Sequence, residues 1–385
     1  MTRRTSPSRQ QRRSPRAVMA LGMIAALLGA CAQDGPPPIP PLPEEALNAV
    51  VVEPGVSQEQ LARAVDDVFT AEGVGETRAL IVMHEGEIVA ERYAAGIDPE
   101  APQIGWSMSK SVTGLIIGSL VADGRLRLDD PAPVSSWQRT GDPRSDITLR
   151  QLLQMRSGLR HEEAAAPLYT SPEVRMMYLE GRGDMAAWAE AQPLEDEPGS
   201  TFQYSTPTSM ILADIATDLL APDEDAEDRQ QAMADYVAAR IAGPIGVPSL
   251  VGEYDASGTL LGGSNFWATP RDWAKLGEFM RTGGVAGGVQ VVPRRWIDFM
   301  RTPSPASDDY GAQLWLNRAT EADRNVLFAE QGPDTAFAMV GRLGQYVIVS
   351  PDQRLTVVRM GMTQGEERPA LVEELADIFA LYPVR

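Results

Sequence analysis

The clearest strand signals in this chain lie near its two ends. Ala79–His84 and Glu87–Tyr93 are short β-rich runs joined at Glu85-Gly86, which predicts a hairpin. Gln345–Ser350 and Arg354–Met360 predict a second hairpin around Pro351-Asp352-Gln353. Each has an amphipathic helix beside it. Over Ser57–Glu72, Ser57 and Gln60 have capping-box spacing, and Leu61, Val65, Val68 and Phe69 share one face. Over Arg368–Tyr382, Leu371, Leu375, Ile378 and Phe379 face inward. Two hairpins and two such helices bury their apolar faces together as an antiparallel sheet flanked by the N- and C-terminal helices. The ends of the chain must then meet, and what lies between is an insertion. That insertion, roughly 107–330, reads as helices (Ile147–Met155, Met210–Leu220, Ala232–Ile241, Pro270–Met280) and long loops. The expected fold class is α+β: an α/β sandwich carrying an inserted, mostly helical subdomain. No internal repeat is visible.

The first thirty residues read as a targeting segment rather than as part of the fold. Arg3, Arg4, Arg9, Arg12, Arg13 and Arg16 precede an apolar run, Ala17 to Leu28, that ends at Leu28-Gly29-Ala30-Cys31. This resembles a bacterial lipoprotein signal, with Cys31 as the lipidated residue. Cys31 is the only cysteine, so no intrachain disulfide can form. With Ala rather than Asp at position 32, the resemblance implies an exported lipoprotein of the bacterial cell envelope, in the outer membrane facing the periplasm. Gly35–Pro43 (GPPPIPPLP) is a stiff, extended spacer. The expected division is 1–30 signal peptide, 31–46 proline-rich linker and 47–385 one folded domain.

Loss of residues 1–30 removes six arginines and no acid, taking the formal charge of −19 to −25. So acidic a chain repels nucleic acid, and a polyanionic substrate is disfavoured. Membrane association is expected through Cys31 only. The acidic run Pro222–Asp228 lacks the glycine and ligand spacing of a calcium loop and reads as a solvated loop. Gly283–Gly288 (GGVAGG) has no preceding strand and no phosphate-loop lysine, and reads as a surface turn.

Only two lysines occur, Lys110 and Lys275. Lys110 lies on a segment, Ser107 to Val121, that is apolar nearly all round and should form a buried central helix, with Gly114 and Gly118 packed closely against a neighbour. Ser107-Met108-Ser109-Lys110 opens it. Residues three apart on a helix share a face, so the amine can reach the serine oxygen. Burial disfavours a charged lysine, and the neutral amine can accept the serine proton. The helix N-terminus adds a positive field where an oxyanion would form.

This S-x-x-K is a pattern of β-lactamases and penicillin-binding proteins. The segments ALIVMHEGEIVAERYAAG, GWSMSKSVTGLIIGSLVADGRLRLDDP, ITLRQLLQMRSGL, EPGSTFQYST, FWATPRDWAKLGEFM and GRLGQYVIVSP follow in order over nearly all of the chain after residue 50. Together they resemble the serine β-lactamase and DD-peptidase superfamily, most of all its class C-like esterase and 6-aminohexanoate-dimer hydrolase branch. The resemblance implies a β-lactamase/transpeptidase-like fold and catalysis by Ser107 as acylated nucleophile, with Lys110 as its activating partner and Tyr204 as a proton shuttle. It implies an oxyanion hole from the backbone N–H groups of Ser107 and Gln345. Arg342-Leu343-Gly344 falls at the family's third motif, on the strand beside the site, where Gly344 would let substrate approach the backbone and Arg342 could bind a carboxylate. Thr206, expected with Arg342 and Gly344 to bind substrate, stands where the second motif often has asparagine, and Arg342 where the third often has lysine or histidine. Both departures favour an esterase or amidase acting on a small molecule over a DD-carboxypeptidase or β-lactamase.

No metal or organic cofactor is implied. There is no G-x-S-x-G elbow. Of the two histidines, His84 is expected on the surface and His161 near the cleft, neither as a base. The remaining alternative is a non-catalytic envelope-binding lipoprotein that keeps the fold.

Overall fold

The computed structural model describes residues 41–385 apart from 54, 323 and 325. The expected signal peptide, Cys31 and most of the linker lie outside the described residues. The folded unit runs from Leu42 to Arg385.

Six strands form one antiparallel sheet: β1 (Glu76–His84), β2 (Glu87–Tyr93), β3 (Trp315–Leu316), β4 (Phe337–Gly341), β5 (Gln345–Ser350) and β6 (Leu355–Met362). Their order is β2-β1-β6-β5-β4-β3, so the strands from the two ends of the chain meet at the β1–β6 pair. Leu80 lies opposite Arg359 and Val82 opposite Val357 there. Both expected hairpins are present, with β1 and β6 extending beyond the sequence-based limits.

Strand alternation assigns the two sheet faces. Leu80, Val82, Tyr346, Ile348 and Val357 belong to one core with residues of α2 (Gln58–Thr70) and, at the C-terminus, Arg368–Ala380, and the short helix α1 (Glu44–Asn48) packs on α2. Ala79, Ile81, Met83, Val347, Val349, Val358 and Met360 face the inserted part. Ser57 caps α2 by accepting from Gln60 N (3.4 Å). Ala46 of α1 is fully buried, so packed structure begins before position 47.

The insertion is built around α3 (Ser109–Ala122), packed on α4 (Thr206–Leu220), with α5 (Pro270–Arg281) lying on the sheet. The C-terminal helix is thus α6. Ser109 to Leu120 are all buried, as expected for a central helix apolar on every side. The two expected close approaches have identifiable partners. A Cβ at Gly114 would meet Met300 Cε at 2.7 Å, and one at Gly118 would run into the Trp296 indole. That indole is fixed by donating from Nε1 to Gly114 O (3.0 Å).

Three local expectations change. Gly283–Gly288 is a turn, but it sits within a two-strand hairpin of Val285–Ala286 and Val289–Gln290. The acidic run ends as a helix start: Asp225 caps Ala226–Val237 by accepting from Glu227 N and Asp228 N. His84 is not a surface residue. It is 11% exposed, with Nδ1 2.9 Å from Glu53 Oε2 and its ring against Tyr382. No described helix is long and apolar enough to cross a membrane.

The Gly118–Trp296 contact yields a test. Alanine is the better helix former by roughly 1 kcal/mol, whereas overpacking a core costs about 1–3 kcal/mol. With the indole held by its hydrogen bond, the second effect should win. G118A is expected to lose about 1–2 kcal/mol in urea unfolding, and unchanged or increased stability would show that Trp296 can yield.

Candidate active site

Ser107 lies in a 3₁₀ turn, Trp106–Met108, that runs directly into α3. The turn is entered through Trp106 at φ +47°, a left-handed conformation that costs a bulky L-residue about 1–2 kcal/mol. The surroundings hold it. Gly105 has no space for a side chain beneath the Trp273 ring, 2.5 Å from where a Cβ would sit. Its N–H donates to Phe266 O (2.8 Å), and Phe266 N donates back to Ser109 Oγ (2.9 Å). A short strand of the insertion, Phe266–Ala268, thereby fixes both sides of the serine.

Lys110, one turn further on, is 2% exposed. Its Nζ donates to Thr206 Oγ1 (2.8 Å) and Gly263 O (2.8 Å) and is in hydrogen-bond contact with Ser107 Oγ (3.1 Å). The expected serine–lysine pair is therefore in hydrogen-bond contact. Tyr204 precedes α4, whose N-cap Ser205 accepts from Thr208 N (3.0 Å). The Tyr204 ring centroid is 4.8 Å from Lys110 Nζ and packs against Trp315 (5.1 Å) and Tyr310 (5.8 Å). Burial raises the Tyr204 pKa, the Lys110 charge opposes this, Glu163 adds to it, and hydrogen bonding with Ser107 and Lys110 opposes it; the net direction is up. The phenol therefore keeps its proton at neutral pH.

Sequence reasoning missed two carboxylates in the segment after the MRSGL run. Glu163 Oε2 accepts from Thr206 N and Oε1 from Thr206 Oγ1, both at 2.6 Å. Glu173 stands near it on the short helix Pro172–Tyr178. Burial, then the Glu163 charge, push its pKa up to about 7 against the pull of Lys110 and Arg342. Arg342 is exposed, and its field reaches Glu173. The only sequence signal for this pair was position, since both fall in a long loop whose path the local pattern does not specify.

The third-motif assignment requires correction. Arg342-Leu343-Gly344 is not on a strand; it is the turn joining β4 to β5. Gly344 (φ +75°) does not open the backbone to substrate. A Cβ there would meet Arg359, Leu371 and Thr363 at 2.7–2.9 Å, all of them interior groups. Buried Arg359 holds this turn, donating to Leu343 O (3.3 Å) and Gly344 O (3.0 Å) as well as to Thr77 Oγ1 (3.0 Å). Gln345 begins β5, paired with Gly341. Its side chain is spent inside the sheet, donating to Gly361 O (2.7 Å) and accepting from Gly361 N (2.9 Å). The backbone lying against the serine turn is that of β4, where Gly341 abuts Gly105 O. Thr206 is likewise fully buried between Lys110 and Glu163.

His161 is buried behind α4, with Nδ1 2.9 Å from Thr208 Oγ1 and Nε2 2.9 Å from Ala189 O. Burial pushes its pKa down to about 4, so it is neutral at physiological pH. Among the described residues, no group of three or more histidine, cysteine, aspartate or glutamate side chains is arranged to hold a metal ion.

Known proteins are similar to this chain in sequence or in fold. A curated 6-aminohexanoate-dimer hydrolase from Paenarthrobacter ureafaciens is 27% identical over 259 residues, 65% of this chain and 63% of the relative, so the match spans just under two thirds of that protein's length. A penicillin-binding protein homologue from Caulobacter crescentus superposes with a TM-score of 0.61 at 17% identity, covering 85% of this chain and 99% of the other. A family VIII carboxylesterase gives 0.60 at 16% identity, over 84% and 97%. At such identities these two structures speak for the fold alone. The Beta-lactamase family model matches residues 63–381, and the chain belongs to the Beta-lactamase family.

Proposed function

We propose that this protein is a serine hydrolase that cleaves ester or amide bonds of small molecules through an acyl-enzyme on Ser107. The observation that carries the reading is the buried Lys110 amine, 3.1 Å from Ser107 Oγ, in a chain with only two lysines. In its free-amine form Lys110 takes the Ser107 proton as the oxygen attacks the substrate carbonyl carbon. The carbonyl π electrons move to the oxygen, giving a tetrahedral oxyanion. Tyr204 then gives its phenolic proton to the departing oxygen or nitrogen as the bond to carbon breaks, and the Lys110 ammonium returns a proton to Tyr204. Its raised pKa suits Tyr204 to act as this acid rather than as the first base. Water enters by the reverse path and frees the acid.

The oxyanion hole takes its first donor from Ser107 N. For the second we assign the backbone N–H of Arg342, the residue after Gly341, in place of Gln345, because β4 is the strand against the serine turn. The Arg342 guanidinium at the rim supports a substrate carrying a carboxylate, and Thr206 serves as a link to Lys110 instead of a substrate contact. Anchoring in the outer membrane through a lipid on Cys31 completes the proposal; C31S should abolish incorporation of a palmitate analogue during growth, and labelling that persists would contradict it.

Turnover of p-nitrophenyl esters, of simple amides and of the 6-aminohexanoate dimer tests the chemistry. S107A and K110A are each expected to lower kcat/KM by about 10³-fold or more on any substrate turned over. Activity within a few-fold of wild type in folded S107A would remove Ser107 from the reaction.

A further inference from the structure

Glu163, hydrogen-bonded to the Thr206 that meets Lys110, has no step in the mechanism above. Its carboxylate accepts both from the backbone N–H and from the hydroxyl of Thr206, each at 2.6 Å. A hydroxyl has one proton. With that proton directed at Glu163, Thr206 Oγ1 can meet Lys110 only as an acceptor, which is how the 2.8 Å contact from Nζ is made. Nζ also donates to Gly263 O at 2.8 Å, an atom that can only accept. Two of the three free positions on the nitrogen are thereby committed as donors. The amine form of lysine carries two protons, so its third position is a lone pair. The remaining neighbour is Ser107 Oγ, at 3.1 Å.

We propose that Glu163 is a positioning residue that acts through Thr206 to aim the Lys110 lone pair at the Ser107 hydroxyl. The inference rests on the Ser107–Lys110 reading above. A carboxylate is needed because only it accepts with both oxygens. A glutamine could accept from Thr206 N but would donate to Thr206 Oγ1, releasing the hydroxyl proton toward Lys110, where it competes with Ser107 for the lone pair. The Glu163 backbone is held within its own loop as well: Ser171 Oγ donates to Glu163 O at 2.8 Å.

The test is the second-order rate at which a fluorophosphonate modifies Ser107, followed by intact-protein mass for wild type, E163Q, T206V, T206S and the E163Q/T206V double variant, each checked for folding by thermal melting. E163Q and T206V are each expected to slow modification about 10- to 100-fold, within the range of general-base effects. T206S keeps the hydroxyl and should label within about threefold of wild type. The double variant should be no slower than the slower single variant, since both changes cut one chain. E163Q labelling within about twofold of wild type, or two effects that multiply in the double variant, would overturn the proposal and leave Glu163 a loop residue. If E163Q does not fold, T206V against T206S reads the same link, and equal rates for that pair would overturn it. A wild type that never labels fails differently, because it removes the reading on which the inference rests.

Discussion

The contacts of a single buried nitrogen, Lys110 Nζ, organise this molecule. A lysine 2% exposed must have every polar position on its nitrogen satisfied, or the desolvation cost is not recovered. The partners come from three separate parts of the chain: Ser107 on its own helix start, Thr206 at the start of α4, and the Gly263 carbonyl just before the Phe266–Ala268 strand. Satisfying one lysine therefore fixes how α3, α4 and that strand meet. The same contacts set the serine beside an amine and a phenol, so structural need and proposed chemistry coincide at one atom.

Around this centre the fold supplies rigidity. The strained Trp106 backbone is tolerated because Gly105, Trp273 and the Phe266 peptide leave it no alternative. The β4–β5 turn, which follows Gly341 where it abuts Gly105, is held from beneath by Arg359, a buried cation whose hydrogen-bond acceptors are carbonyls and the Thr77 hydroxyl rather than a carboxylate. Burial pulls that guanidinium down to about 10, below its usual value yet still charged at neutral pH. The sheet is thus more than a scaffold under the site, since the short edge strand β3 pairs only with Phe337 and Ala338 and leaves the Gly341 end of β4 free to lie against the turn that bears Ser107.

What was legible in the sequence follows from how local each signal is. Both hairpins, the terminal helices and the central helix were readable because two-residue and 3.6-residue periodicity are written in consecutive positions. Ser107 and Lys110 were readable because three-residue spacing on a helix implies contact. Tyr204 came only through family resemblance, as nothing in Phe202-Gln203-Tyr204 marks its hydroxyl as facing Lys110. Glu163 and Glu173 escaped because their place depends on the path of a loop closed by Thr206 and Ser171. The third motif slipped by a few residues for a related reason. Arg342-Leu343-Gly344-Gln345 looks like the start of a strand, whereas the strand against the site is the shorter Phe337–Gly341, a plain apolar run with no polar residue to draw attention. A glycine at 344 is required by Arg359 and Leu371 packed beneath it, not by the approach of substrate that the resemblance implies.

The central claim is that Ser107 is an activated nucleophile. The most direct measurement is peptide-level mass spectrometry of the protein after brief exposure to a fluorophosphonate, with the S107A variant treated in parallel. The account predicts one adduct, located on Ser107, in the wild-type protein and none in the variant. A folded wild-type protein that stays unmodified, or an adduct that persists in S107A, would contradict it.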